Sequence, residues 1–271
     1  MNIAVIIPAA GSGSRYADSA KAAGAEITRH KIDEDLGGRP LLHRTVELFT
    51  KLDEVSTIIV AGPADDAAYG QFKERHADKL AILGVKLCQG GKMHRYETVA
   101  NALKLVPQDC THVAVHDAAR PCTPADLIER VFEAARAGHN AVIPAIDVPD
   151  TLKRVSAETL QAQKEDPLAA ILGAEAPKAT ARTVEQTIDR TRLVAVQTPQ
   201  VFERTLLLKA YAQKDLSSTD DSQLVERLGE KVLVVEGDPT NIKVTRMRDI
   251  RLVRAILGVR PPAEKAAHMR F

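Results

Sequence analysis

The stretch Ile3-Ala4-Val5-Ile6-Ile7-Pro8-Ala9-Ala10-Gly11-Ser12-Gly13-Ser14-Arg15 decides the fold. A continuous, β-branched apolar run ends at a proline and passes at once into small residues closed by an arginine. A run without polar alternation is expected of a strand covered on both faces. Small residues let backbone N–H groups approach a ligand closely, and successive N–H groups form an anion cradle. In an open α/β sheet the carboxyl end of the first strand is where ligands sit. The loop is not G-x-G-x-x-G, because position 16 is tyrosine, and it lacks the G-K-[ST] of a Walker loop. Phosphate or nucleotide binding is the expectation. A plain strand-to-helix turn is the simpler alternative.

Similar runs recur along the chain at Thr57–Ala61, Leu83–Cys88, His112–His116, Asn140–Ala145 and Lys231–Glu236. Amphipathic stretches at Leu41–Leu52, Thr98–Leu105 and Pro124–Ala137 separate them. Thr123 reads as an N-cap with Pro124 at the first helical position and Asp126 in the first turn. A last helix, Arg248–Gly258, ends at a glycine ahead of Pro261-Pro262. Strand–helix alternation predicts an α/β fold with a Rossmann-like, mainly parallel sheet flanked by helices. Two stretches break the rhythm. Residues 17–30 are alanine-rich. Residues 151–192 start with a strand-like Thr151–Val155 and end with Thr187–Arg192, as expected of a protruding β-arm at about 148–192. One domain over 1–271 carries this arm, and the tail from Pro261 is expected to be loose.

The 271 residues include 37 Lys+Arg and 36 Asp+Glu, a formal charge of +1. That balance argues against a nonspecific nucleic-acid binder. The absence of tryptophan and 3% aromatic content argue against stacking on single strands. Cys88, Cys110 and Cys122 are too scattered for a disulfide framework or a zinc knuckle. No apolar run reaches the ~20 residues of a membrane span. The N-terminus lacks the basic region of a signal peptide, so a cytoplasmic protein without membrane or nucleic-acid partners is the expectation.

Two more segments carry chemistry. In Val115-His116-Asp117-Ala118-Ala119-Arg120-Pro121 a strand ends in an acid followed three positions later by an arginine. Such a carboxylate holds a ribose or substrate hydroxyl or a metal ion, and such an arginine pairs with it or clamps a phosphate. A capping aspartate with a surface arginine is the alternative. His116 reads as structural. In Asp238-Pro239-Thr240-Asn241-Ile242-Lys243-Val244-Thr245 a lysine sits among β-branched residues near the end of the last strand. It either points into a polar site or lies on a sheet edge facing water.

Taken in order, P-A-A-G-x-G-x-R (Pro8–Arg15), H-D-A-A-R-P (His116–Pro121), T-P-Q-x-F (Thr198–Phe202) and N-I-K-V-T (Asn241–Thr245) resemble 2-C-methyl-D-erythritol 4-phosphate cytidylyltransferases. The resemblance implies a single nucleotidyltransferase domain, catalysing attack by the phosphate of methylerythritol phosphate on the α-phosphorus of CTP, with pyrophosphate leaving. It implies Mg2+ bound mainly through the CTP phosphates, and a homodimer interlocked through the arms. Arg15 and Lys31 fall on the triphosphate contacts, Lys31 being anchored by the downstream Leu36–Leu42, with Lys21 as its rival. Pro8, Ala9, Ala10, Gly11, Gly13, Gly91, Thr98 and Asp117 fall on the nucleotide site. Asp117, Arg120, Thr151, Arg190 and Lys243 fall on the sugar-phosphate site, Thr151 and Arg190 reaching it from the neighbouring subunit. The family's acid after the glycines is missing, Lys92-Met93-His94 standing there. A ribitol-5-phosphate cytidylyltransferase and a non-catalytic nucleotide-binding regulator of the same fold are the alternatives.

Overall fold

The computed structural model describes residues 1–24, 29–162 and 179–261. Parts of the 17–30 insertion and of the arm, and nearly all of the tail, lie outside them. The chain divides into one unit built from Met1–Ile146 and from Val196 onward, and a second unit, Asp147–Ala195.

The first unit begins with β1 (Ile3–Pro8), α1 (Ser14–Ala22), a 3-10 turn (Lys31–Asp33) and α2 (Leu41–Glu47). β2 (Val55–Gly62), α3 (Asp66–Ile82), β3 (Lys86–Gln89), α4 (Arg95–Leu103), β4 (His112–Val115), α5 (Ala125–Arg136) and β5 (Ala141–Asp147) follow. The second unit holds β6 (Leu152–Val155), β7 (Leu160–Ala162), β8 (Ala179–Ala181) and β9 (Val184–Ile188), and β10 (Val194–Val196) leads out of it. β11 (Gln200–Glu203), α6 (Arg204–Tyr211), α7 (Ser222–Glu226), β12 (Leu233–Glu236) and α8 (Met247–Ile256) complete the chain.

The main sheet carries the order β5-β11-β4-β1-β2-β3, with β12 also on β5. β3, β2, β1 and β4 run parallel, and β11 is the antiparallel strand between β4 and β5. The lack of alternation in β1 follows from its position. Ile3, Val5 and Ile7 bury against Leu42, Val46, Phe49 and Phe72 on one face. Ala4 and Ile6 bury against Val99, Ala102 and Leu207 on the other. Both sides of the pleat therefore need apolar residues. A third cluster packs Tyr16, Leu36 and Ala119 with Val244, Ile250 and Val253, which ties α8 and the segment before it to α1, to the segment before α2 and to the loop after β4.

Several boundaries differ from the sequence reading. β3 starts at Lys86, because Leu83 still caps α3 and Gly84 turns the chain at φ 71°. Thr123 is not an N-cap: its hydroxyl donates to the Asn241 side-chain oxygen at 2.8 Å, and Pro124 takes the cap position. Asn241–Thr245 is irregular rather than strand, so Lys243 is no edge-strand residue. In the second unit β6 pairs antiparallel with β9, Leu152 opposite Ile188. The strand expected at Thr187–Arg192 stops at Ile188 because Asp189 accepts from the Thr191 N–H at 2.9 Å and Arg192 turns left-handed. The helix α3 has no clear apolar stripe to betray it: among its hydrophobic positions Phe72 and Leu80 are buried, while Ile82 is 84% exposed.

Phe202 lies fully buried on β11, opposite Val113 on β4 and Ala141 on β5. Phe202→Ala is expected to lower the unfolding free energy by ~3–5 kcal/mol through lost burial and a residual cavity. Urea denaturation measures it; a loss under ~1 kcal/mol would show that the antiparallel insert carries little of the core.

Candidate active site

The loop after β1 is shaped by two close approaches. Ala9 N–H still donates to Ala61 O at 2.8 Å, and the chain then leaves the sheet. Gly13 caps α1 at φ 68°, and its carbonyl accepts from Tyr16 and Ala17. The His30 ring lies where a Gly13 side chain would begin, 3.0 Å from the ideal Cβ position. Its Nε2 stands 3.0 Å from Gly11 O, so His30 laces the segment before Lys31 onto the loop. On the other side a Cβ on Gly90 would come within 2.5 Å of the Ala10 methyl. The glycine pair after β3 therefore closes over the loop after β1.

These loops enclose a cavity of about 330 Å3. Pro8, Ala9, Ala10, Gly11 and Gly91 supply backbone to its walls, and Gly13 sets the turn without lining it. Arg15, Lys31, Arg95 and Lys243 all face it, from four separate parts of the chain. Lys21 is exposed and does not line this cavity, whereas Lys31 does. Burial, and then the neighbouring Lys243 and Arg15 charges, lower the pKa of the Lys31 ammonium, against the pull of Asp117. Such a crowd of cations suits a ligand of high negative charge.

Among the described residues Asp117 is the single carboxylate on the cavity wall. Its Oδ2 is 2.9 Å from Lys243 Nζ and 3.3 Å from Arg120 Nε, and its Oδ1 is 3.5 Å from Arg95 Nε. Its backbone N–H donates to Thr198 Oγ1 at 3.0 Å. Burial by itself would raise the pKa of this carboxyl; the Lys243, Arg95 and Arg120 charges outweigh it and hold Asp117 well below the usual carboxylate range. Arg95 in turn donates to Asp221 at 2.7 Å, and the Tyr211 hydroxyl donates to the other Asp221 oxygen. Arg120 donates to the Asn241 carbonyl at 2.6 Å. Asn241, fully buried, donates to Thr198 O at 2.9 Å, and Val244 N–H donates to Ala119 O at 2.8 Å. The segment carrying Lys243 is thereby fastened to the loop after β4 in an irregular conformation.

A second, polar cavity of about 420 Å3 adjoins the first, and Arg95, Asp117 and Lys243 line both. Its remaining walls include Gln200, Asp220, Ser222 and Gln223, groups suited to hydroxyls. Arg120 faces this second cavity while paired with Asp117. The Thr98 hydroxyl lines the first cavity but accepts from Gly91 N–H at 3.0 Å, so it also holds the glycine loop. Thr151 and Arg190 belong to the second unit, where Thr151 is exposed and Arg190 Nη1 lies 3.5 Å from Val148 O. Arg95, His30 and Asn241 were not singled out from sequence as site residues. Arg95 could have been suspected as a charge opening a helix beside a glycine pair; Asn241 carried no signal beyond its motif.

A mainly parallel sheet with a small-residue loop after its first strand, and cations gathered at the same edge, defines a Rossmann-like nucleotide-binding protein. Within that class the chain belongs to the 2-C-methyl-D-erythritol 4-phosphate cytidylyltransferase family, whose model matches residues 3–179 and 168–259. It is 38% identical over 267 residues to the protein of that name from Frankia casuarinae, covering 97% of this chain and 84% of the relative. It is 35% identical over 266 residues to that of Rhodococcus jostii, covering 98% and 97%. Crystal structures of such cytidylyltransferases from Thermus thermophilus (30% identity, TM-score 0.67, 96% and 100% covered) and Francisella tularensis (27%, 0.68, 94% and 100%) share the fold.

The site rests on a neutral histidine. His116 is fully buried, its Nδ1 3.1 Å from Thr198 Oγ1, and burial lowers its pKa to about 4. Folded His116 therefore refuses a proton that the unfolded chain accepts below pH ~6.5. Its contribution is complete above that value and is lost as pH falls toward 4. His43, lowered to about 4 chiefly by burial, acts in the same direction. Unfolding free energy is expected to drop by about 2 kcal/mol per histidine between pH 7.5 and 5. His116→Gln should remove about half of this dependence, His43 keeping the rest; a wild-type stability constant over that range would contradict the assignment.

Proposed function

We infer that this protein transfers CMP from CTP to 2-C-methyl-D-erythritol 4-phosphate and releases pyrophosphate. The observation that carries the reading is the convergence of Arg15, Lys31 and Lys243 on one cavity beneath the small-residue loop. Family membership supplies the substrates.

The chemistry asks little of a general base, because a phosphate monoester is already an anion at neutral pH. Its oxygen attacks the α-phosphorus, a new P–O bond forms, and the bond from the α-phosphorus to the bridging oxygen breaks as pyrophosphate leaves. Catalysis then consists of holding two mutually repelling anions in line and neutralising charge as it develops. Arg15 and Lys31 face the triphosphate in this reading. Lys243 stands between the two cavities and faces the incoming phosphate, with Asp117 fixing its ammonium. The polar wall of amides and a hydroxyl at Gln200, Ser222 and Gln223 receives the polyol.

Magnesium fits as an ion carried by the substrate. No group of three His, Cys, Asp or Glu side chains among the described residues forms a cage. Mg2+ commonly keeps several waters and uses substrate phosphates with one or two carboxylates, and Asp117 is the carboxylate at hand. When bound, the ion supplies charge neutralisation on the triphosphate oxygens.

The arm is read as the dimerisation element, with Thr151 and Arg190 presented to the neighbouring subunit's sugar phosphate. In this reading the protein works as a cytoplasmic homodimer. Exposed apolar side chains on the second unit, Leu160, Val184 and Val194, support a covered face there. Among the described residues no helix is long and apolar enough to cross a membrane.

Arg15→Ala and Lys31→Ala are each expected to cost at least ~2–3 kcal/mol of transition-state stabilisation, while Lys21→Ala leaves turnover near wild type. Pyrophosphate release with CTP, magnesium and methylerythritol phosphate measures all three. CTP binding without any release, even at high enzyme concentration, would instead identify a binding-only protein.

A mixed dimer of Arg190→Ala and Lys243→Ala chains should regain about one working site although each parent homodimer is impaired. Failure to recover would mean that the site is completed within one chain.

A further inference from the structure

Lys31 stands on a 3-10 turn of three residues. Such a turn is weak on its own. Its backbone bonds number two, Asp33 N–H to His30 O at 2.9 Å and Glu34 N–H to Lys31 O at 3.3 Å. The Lys31 ammonium it carries shares the cavity with Arg15 and Lys243, two charges of the same sign. Like charges push it outward. Something must hold the turn in place while the cavity waits for its anion.

The side chain two residues on, Asp33, does not line that cavity. Its Oδ1 lies 2.7 Å from His76 Nε2 on α3, and its Oδ2 lies 3.2 Å from Arg75 Nε. The other His76 nitrogen, Nδ1, lies 3.0 Å from His43 Nε2 on α2. His43 and His76 are 4% and 2% exposed. With Nε2–H donating to Asp33, His76 Nδ1 accepts from His43 Nε2–H, and the chain of bonds runs from the half-buried Asp33 into buried ground. Between them Ile32 is buried among Leu42, Phe72 and other core residues.

A buried polar chain is a poor way to gain stability alone, since apolar side chains of similar volume usually serve as well or better. Its advantage is direction. A hydrogen bond to a rigid ring on a long helix fixes where the turn can sit, whereas an apolar contact tolerates sliding. None of Asp33, His76 and His43 touches the cavity, so the reaction does not use them directly.

We propose that Asp33 and His76, backed by His43, are positioning residues that hold the Lys31 ammonium in the nucleotide cavity against repulsion from Arg15 and Lys243. This rests on the reading of Lys31 as a triphosphate contact. The role is exerted through the 3-10 turn, at a distance from the reacting atoms.

The test compares His76→Leu, His76→Gln and Asp33→Asn in the full-length protein. The glutamine amide can replace the imidazole N–H donor to Asp33; leucine cannot. Lysine acetylation by limiting acetic anhydride, read peptide by peptide by mass spectrometry, gives the protection of Lys31 by CTP and magnesium. Steady-state kinetics give kcat and each KM. In wild type, CTP should protect Lys31. In His76→Leu that protection should fall at least fivefold, and kcat/KM for CTP at least tenfold, with KM for the sugar phosphate unchanged. His76→Gln should recover most of both, and Asp33→Asn should lie between. Full protection of Lys31 in a folded His76→Leu protein overturns the proposal, as does a His76→Gln protein as impaired as the leucine variant. If His76→Leu does not fold, Asp33→Asn is judged by the same protection and KM criteria. Absence of CTP protection in wild type would instead overturn the assignment of Lys31 to the triphosphate.

Discussion

One buried carboxylate makes the site possible. Asp117 gathers Lys243, Arg95 and Arg120 around itself, Arg95 being held from its other side by Asp221, and without that anion Lys243 and Arg120 would face each other unneutralised. Removing a carboxylate from water is costly, and a single partner would not offset it; three partners and a lowered pKa show that here the balance favours the ionised form. The arrangement leaves the first cavity with excess positive charge, because among the described residues no second carboxylate lines its wall beside Arg15 and Lys31. That surplus is what an incoming triphosphate and a second phosphate would neutralise.

Asp117 reaches this position through strand register. β1 pairs in parallel with β4, Ile6 opposite Val115, so the loop after Pro8 and the loop holding Asp117 emerge at the same sheet edge. β1 also pairs with β2, Pro8 opposite Ala61, and β2 with β3, Gly62 opposite Gln89, which brings Gly90-Gly91 over the first loop. Parallel pairing gathers carboxyl ends at one edge by construction. The last contributor, Lys243, arrives differently. Buried Asn241 hydrogen-bonds to the loop after β4 and to the Thr198 carbonyl, so an irregular segment is placed as firmly as a strand end.

Second-layer contacts follow the same logic. His30, Thr98 and the Asp33–His76–His43 chain each tie a loop to a neighbour through a polar bond. Apolar packing fills the two faces of the sheet. Polar bonds, which have direction as well as strength, locate the loops at the cavity edge.

The sequence by itself determined the sheet and its sidedness, because a continuous β-branched run is the signature of a strand buried on both faces. It also exposed the loop after β1, Asp117 and Lys243, since charges placed straight after apolar runs stand out. The weakly amphipathic α3 and the end of β9 at Ile188 were hidden because their local patterns are faint, and the true role of Thr123 because it depends on Asn241, far away in the chain. Only the tertiary structure decided that Lys31 rather than Lys21 faces the cavity, and that Arg95 joins it. Those choices depend on which side of a turn or helix meets which neighbour. A local pattern reports how a segment curls and which face is oily; it holds no information about the distant partner that fixes a charged side chain in space.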